Sequence, residues 1–439
     1  MSPNLPGVVD WRRRLDDLPH PLWPVVRGGV RACVAPFALP VLVMVALLER
    51  RRTTRRRRSR QRPRLLWGPT PVIQIKYSSA AMRRRGYESL TFAHDVYAIN
   101  RREDFDVLRE EFLGSAHAWE AVRDFFVFAW ALRRADVFLT SLDGGLLRFT
   151  ALRWLEGQLV RLAGKRLIVS PYGTDIAVPG YLGPVEHALL QDYPEIARNA
   201  EATRRRVRYF CRWADLVIRN HQYGFLPRAD VVWPTQMAVD TDLWSGDGRA
   251  SAADGQNGEV VVVHAPNHRH VKGTHLLLQA VDALRATGLK VRLDVIERRP
   301  NEEVRAAVHA CDIVAEQFLA GFGIFAVEGS SAGKPVISAL GWQPQEVRST
   351  VMMRECPFVD VDREPLGQAL ERLVRDPARR DALGRAGREF AVRHCSYEAA
   401  GQIWSALIEH VWAGGPLPGD LLPVSGRAGE DLVPAAAGA

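Results

Sequence analysis

The sequence predicts an α/β protein made of two Rossmann-like, doubly wound parallel-sheet domains that face a cleft. Three observations carry this. From residue 259 onward, β-branched apolar runs alternate with segments of helical periodicity. A looser alternation of the same kind fills residues 65–244. Between them, residues 245–258 are hydrophilic and rich in glycine, the composition of a linker.

Length and composition agree with two globular domains: 439 residues, 47% hydrophobic and 25% charged. The five cysteines are odd in number and widely spaced, which argues for a reducing compartment and against a disulfide framework or a zinc site. The net charge of +9 is local in origin, because residues 50–64 hold 10 Arg and no acid.

After an N-terminal segment, 1–31, comes the membrane candidate. Residues 32–48 are uncharged, interrupted by Pro36 and Pro40. As a helix they would extend about 25 Å, short of the ~30 Å hydrocarbon core. The arginine run that follows would stay on the cytoplasmic side and attract anionic lipid at about 1 kcal/mol per Arg. A short span, a helix lying in one leaflet, and a buried helix with a solvated arginine run all fit 32–64. The expectation adopted is a membrane-associated segment on the cytoplasmic face. Interleaved aromatics, zinc-finger spacing and RNA-binding signatures are missing beside the run, so nucleic acid is not an expected partner.

In the first domain, 65–244, strands are expected near residues 72, 89–92, 136–139, 165–170, 215–218 and 230–233, with a helix at 78–86 ended by Gly86, and the strands' carboxyl-end loops facing the cleft. In the second, 259–396, strands at 260–263, 291–296, 312–314 and 335–338 alternate with helices at 272–284, 302–310 and 323–332. Residues 397–412 form a helix with Ile403, Leu407 and Val411 spaced four apart, and 413–439 read as a disordered tail.

The candidate site lies at the strand ends of the second domain. Gly321 and Gly323 flank Phe322 between a strand and a helix start, where glycine permits close backbone approach and free N–H groups favour an anion. Lys272 opens the helix after the first strand, with Arg269 in the same loop. The chain uses 5 Lys against 54 Arg, so a lysine here suggests a compact point charge for a phosphate. Glu328, beyond the glycines, can accept two ribose hydroxyls. His264, His268 and His270 lack metal-like partners in sequence and read as loop or structural histidines.

At these residues the chain resembles the nucleotide-binding half of GT-B glycosyltransferases, in particular the retaining group 1 or family 4 enzymes. The matching stretches are His264-Ala-Pro-Asn-His-Arg269, Val271-Lys-Gly-Thr274, Gly321-Phe-Gly323, and Val327-Glu328 through Gly333-Lys-Pro-Val336. The resemblance is strong over 259–340 and loose over 65–245 and 340–412. It implies that Arg269 and Lys272 hold a donor diphosphate, that the turn Gly321, Phe322 and Gly323 supports it, and that Glu328 holds the ribose. It also implies that 397–412 cross back onto the first domain. Where the family has a first glutamate eight residues before the second, this chain has Ala320; Glu316 is close enough in sequence to substitute.

Gly173-Thr-Asp175 resembles positions in the acceptor-binding half, making Gly173 and Asp175 candidate acceptor or cleft residues. A turn role explains Asp175 equally well, and is preferred for Asp143. No metal site is expected, and Asp240-x-Asp242 precedes the linker in an unsuitable context. No cofactor is expected beyond a nucleotide-sugar co-substrate. The resulting expectation is a retaining, metal-independent glycosyltransferase acting on a lipid or cell-envelope glycan acceptor. The alternative is a non-catalytic relative that binds nucleotide or glycan at a membrane surface.

Overall fold

The computed structural model describes residues 23–97, 100–113, 120, 122–246, 251–319, 321–341, 343, 345–419 and 421–423. The N-terminal lobe is built on β1 (Leu65–Trp67), β2 (Ser89–Ala93), β3 (Val107–Leu108), β4 (Val137–Thr140), β5 (Arg166–Val169), β6 (Leu216–Arg219) and β7 (Val231–Val232). These strands are all parallel, in the order β3-β2-β1-β4-β5-β6-β7. The order reverses between β1 and β4. The C-terminal lobe holds β8 (Val260–His264), β9 (Val291–Val295), β10 (Ile313–Ala315), β11 (Val336–Ser338) and β12 (Val359–Asp360). They are parallel in the order β9-β8-β10-β11-β12, reversing between β8 and β10. Strands this apolar are covered on both faces, as parallel sheets require.

Numbering helices of seven residues or more, the first lobe carries α1 (Trp23–Arg58), α2 (Ile73–Arg84), α3 (Arg123–Arg134), α4 (Glu156–Leu162), α5 (Glu186–Asp192) and α6 (Ala200–Trp213). The second carries α7 (Thr274–Ala286), α8 (Asn301–Ala310), α9 (Ile324–Ser331), α10 (Leu366–Arg375) and α11 (Pro377–Cys395). The last helix, α12 (Tyr397–Ala413), returns to the first lobe and packs on α2. Trp404 sits at the centre of that contact, edge-on to Trp67 at 4.8 Å and Trp233 at 5.0 Å between ring centres.

Helix α1 is a wall of the first lobe. Ala35, Leu42, Ala46, Glu49 and Thr53 are buried, a stripe with helical spacing whose small residues let α1 close on α3 and α4. Lys165 lies beneath it and pairs with Asp136 at 3.0 Å and Glu49 at 3.6 Å. Arg64 and Arg56 reach the same Asp136 carboxylate at 3.0 and 3.1 Å. The opposite face of α1 exposes Phe37, Val41, Met44 and Leu48, with Phe37 79% exposed.

Several boundaries differ from the sequence reading. The strand expected near residue 72 lies earlier, at Leu65–Trp67, and Ile73 already begins α2. The tail expected from 413 does not begin there: Leu422–Pro423 forms a short strand, β13, antiparallel to the edge strand β7. The remainder, 424–439, lies outside the described residues. Part of the linker is attached to the second lobe, because Arg380 donates to the carbonyls of Ser251 (2.8 Å) and Ala253, and the Ser251 amide donates to Asp312 at 2.7 Å.

Candidate functional site

Ligands of open α/β sheets bind beyond the strand carboxyl ends where strand order reverses. In the second lobe that point lies between β8 and β10, and the candidate residues converge there. His264 ends β8 fully buried, with Nδ1 bonded to the Ala315 carbonyl at 2.8 Å and Nε2 to Thr274 Oγ1 at 2.9 Å. Burial lowers its pKa to about 4, so it is a neutral staple joining β8, β10 and α7. A short helical turn, Arg269–Lys272, follows, closed by Gly273 in the left-handed region at φ +68°.

Lys272 Nζ pairs with Glu316 Oε1 immediately after β10. The Glu316 side chain is completely buried, and its Oε2 has no hydrogen-bond partner among the described residues. The pair sits over the start of α9: a Cβ built on Gly323 would meet Glu316 Oε1 at 3.3 Å and Lys272 Nζ at 3.4 Å. Glycine at 323 keeps that approach open. Gly321 adopts φ +66°, and its carbonyl accepts from Ser338 Oγ at 2.6 Å, which ties the turn to β11. Phe322 is buried and stacks on His221 of the first lobe, ring centres 6.0 Å apart and planes 2° apart.

Glu328 lies on the second turn of α9, buried, with Asn301 Nδ2 at 3.3 Å. Burial raises its pKa to about 8; the Asn301 hydrogen bond opposes the rise and the nearby Glu316 charge adds to it. Arg269 stands apart from this cluster. It is largely exposed and holds Glu297 bidentately at 2.6 and 2.9 Å. Ala320 lies outside the described residues.

The first lobe closes on this site through specific pairs. Arg219 meets Glu346 at 2.8 Å, and Asp192 at the end of α5 accepts from the Val271 amide at 2.8 Å and pairs with His270 at 2.7 Å. Tyr77 on α2 feels the Glu328 charge. Tyr77, His221, Asn301 and Ser338 come from four separate segments, and no sequence pattern links them to the glycine-rich turn.

Asp175 is buried and fully engaged: Oδ2 accepts from the Leu142 amide at 2.9 Å, and Oδ1 from the Tyr172 and Gly173 amides at 3.0 and 2.9 Å. Burial raises its pKa to about 6 even against those three donors. It therefore pins the loops after β4 and β5 together. Gly173, at φ +137°, makes the turn with the Gln222 amide against it. Asp143 pairs with Arg148 at 3.1 Å, and Asp240 with Arg84 at 2.8 Å.

Two parallel-sheet lobes around a cleft, each with its strand-order reversal at the cleft side, define the GT-B glycosyltransferase fold. Solved structures share it. A sucrose-phosphate synthase from Thermosynechococcus elongatus superposes with a TM-score of 0.50 and 16% identity, covering 81% of this chain and 100% of the other. HepE from Anabaena, solved in complex with UDP-glucose, gives a TM-score of 0.50 and 16% identity over 80% of this chain and 100% of its own. At such identities the likeness speaks for the fold. No protein-family model matches the sequence, and no curated protein matches it significantly.

Proposed function

We propose that this protein is a glycosyltransferase that moves a sugar from a nucleotide-sugar bound by the second lobe to an acceptor presented by the first. The observation that carries the proposal is the convergence of Lys272, Glu316, Gly323 and Glu328 at the β8/β10 reversal, over the start of α9. A lysine and a helix N-terminus suit a diphosphate, and the charge that develops on the departing nucleotide is offset by the same groups. We extend the reading to metal-independent transfer with retention: Lys272 and the N-terminus of α9 are the groups that favour an anion at the site, and the family resemblance implies retention. Glu328 is assigned to the ribose hydroxyls. The solved HepE complex with UDP-glucose supports a nucleotide-sugar as the class of donor.

We place the enzyme at the cytoplasmic face of a membrane, acting on a lipid-linked or envelope-glycan acceptor. The segment Cys33–Arg58 has a mean hydropathy of 1.9 over its most apolar window, and by length and composition it could cross a bilayer. Its buried stripe favours instead a helix lying in the interface, with Phe37, Val41, Met44 and Leu48 toward lipid and the arginines beside them.

The test is a thermal-shift panel of UDP-, GDP-, ADP- and TDP-sugars, followed by acceptor-dependent release of nucleotide. One donor class should stabilise the protein, by about 2.7 kcal/mol at a hundredfold excess over Kd. Stabilisation by none overturns the donor site. Binding without turnover on any lipid or glycan acceptor supports the non-catalytic alternative.

A further inference from the structure

The first lobe has its own strand-order reversal, between β1 and β4, and a pocket opens there. Its walls come from Trp67 and Gly68 after β1, Thr140 and Ser141 after β4, Ser170 to Tyr172 after β5, the first turns of α2, Gln236 and Trp404. It encloses about 480 Å³ of non-atom space, its open side included. Among the described residues, not one of the side chains lining it is charged. Gln236 is 3% exposed; its Oε1 accepts from Ser170 Oγ at 2.6 Å, and its Nε2 has no partner among the described residues. Trp404 is also 3% exposed, and its indole Nε1 likewise has no partner. Burying two N–H donors without acceptors costs free energy that an oxygen-bearing ligand would recover.

We propose that this pocket binds the hydroxyl-bearing end of an uncharged polyol or sugar, with Gln236 Nε2 and Trp404 Nε1 donating to its oxygens. Hydroxyls on Thr70, Ser78, Thr140, Ser141 and Ser170 surround those donors and can donate or accept. With no arginine or lysine among the described wall residues, an anionic group would lose its hydration without gaining a counter-charge. The wall helix α2 also carries Tyr77, which feels Glu328. Ile324, the first residue of α9, packs on the cluster that contains Trp67 and Trp404. The pocket thus adjoins the donor site, and the ligand is the acceptor; that last identification rests on the transferase reading.

Ligand-observed NMR on the full chain tests this with methyl α-D-glucopyranoside, methyl β-D-galactopyranoside and myo-inositol as neutral probes and D-glucuronate as the charged one. At least one neutral probe should bind, and glucuronate at least tenfold more weakly. Trp404→Phe, which keeps an aromatic ring against Trp67 and Trp233, and Gln236→Glu, which keeps the Ser170 contact, should each weaken the neutral probe about tenfold, the loss of one hydrogen bond. Nucleotide-sugar binding in the same variants should be unchanged, which also reports that they fold. Failure of every neutral probe, equal binding of glucuronate, or insensitivity to both variants overturns the proposal. Sugar binding without any nucleotide binding would keep the pocket and remove the transferase reading.

Discussion

Lys272 Nζ and the Glu316 carboxylate form an ion pair buried against Gly323, at the entry to α9. The only lysine in the donor loop is thus already charge-neutralised, and Glu316 depends on it. Lys272→Ala leaves a buried carboxylate without a partner and should cost about 3–5 kcal/mol of stability. Lys272→Met combined with Glu316→Leu should recover most of that loss in urea denaturation, while nucleotide-sugar binding stays abolished. Recovered stability with retained binding would show that the pair is structural only.

Glu328 makes the donor site proton-sensitive. Its pKa is about 8 in the folded protein against an ordinary 4.5, so between those values the folded state holds the extra proton. The stability this contributes is fully present below about 4.5 and is lost as pH rises through about 8. Glu328→Gln should flatten that part of the stability–pH curve. Ribose hydroxyls donating to the ionised carboxylate would pull its pKa down. Donor binding at pH 7 should therefore release a proton, visible by calorimetry in two buffers of different ionisation enthalpy and missing in Glu328→Gln.

Asp136 is the hub of the buried charges under α1. Burial acts to raise its pKa, but the Arg64 hydrogen bond and Lys165 outweigh it and hold the carboxyl below its ordinary 3.8. Its contribution is therefore present above that value and fades as the pH falls. Asp136→Asn should destabilise the protein by about 3 kcal/mol, because Lys165 and Arg64 lose their shared partner. Denaturant unfolding at pH 7 measures it.

Membrane attachment should depend on both the apolar side chains and the arginines of the exposed face of α1. Vesicles with anionic lipid should bind the protein and neutral vesicles only weakly. Replacing Arg51, Arg52 and Arg55 with Gln should cost about 1 kcal/mol each at low salt, and Phe37→Glu with Met44→Glu should abolish flotation. Equal binding to neutral vesicles would contradict the arginine contribution.

The second lobe was almost fully legible. Val260–Val263, Val336–Ile337 and the glycine-rich turn carry their own local signals, and the four strands and three helices expected there stand within a residue or two of where periodicity puts them, whereas β12, at Val359–Asp360, was not foreseen. The first lobe was less so. The helix expected at 78–86 begins at Ile73, and α3, with no polar face in Phe125–Leu132 to betray a period, gave no reading. Among the site residues, spacing could nominate Lys272 and Glu328, each beside its own turn. It could not reveal that Lys272 closes on Glu316, 44 positions away, or that Asp175 spends both oxygens on backbone amides. Trp404 and Gln236 are invisible for the same reason: a pocket assembled from five segments leaves no pattern in any one of them.

The packing of α1 decides how this protein can be handled. Excising a hydrophobic leader to obtain a detergent-free preparation is safe when the leader is a mere tether. Here, cutting after residue 64 would strip Ala35, Leu42 and Ala46 from the interior and orphan Lys165 from Glu49. Resurfacing Phe37, Val41, Met44 and Leu48 with polar residues leaves that interior untouched, so solubility should be sought by repainting the helix and not by amputation.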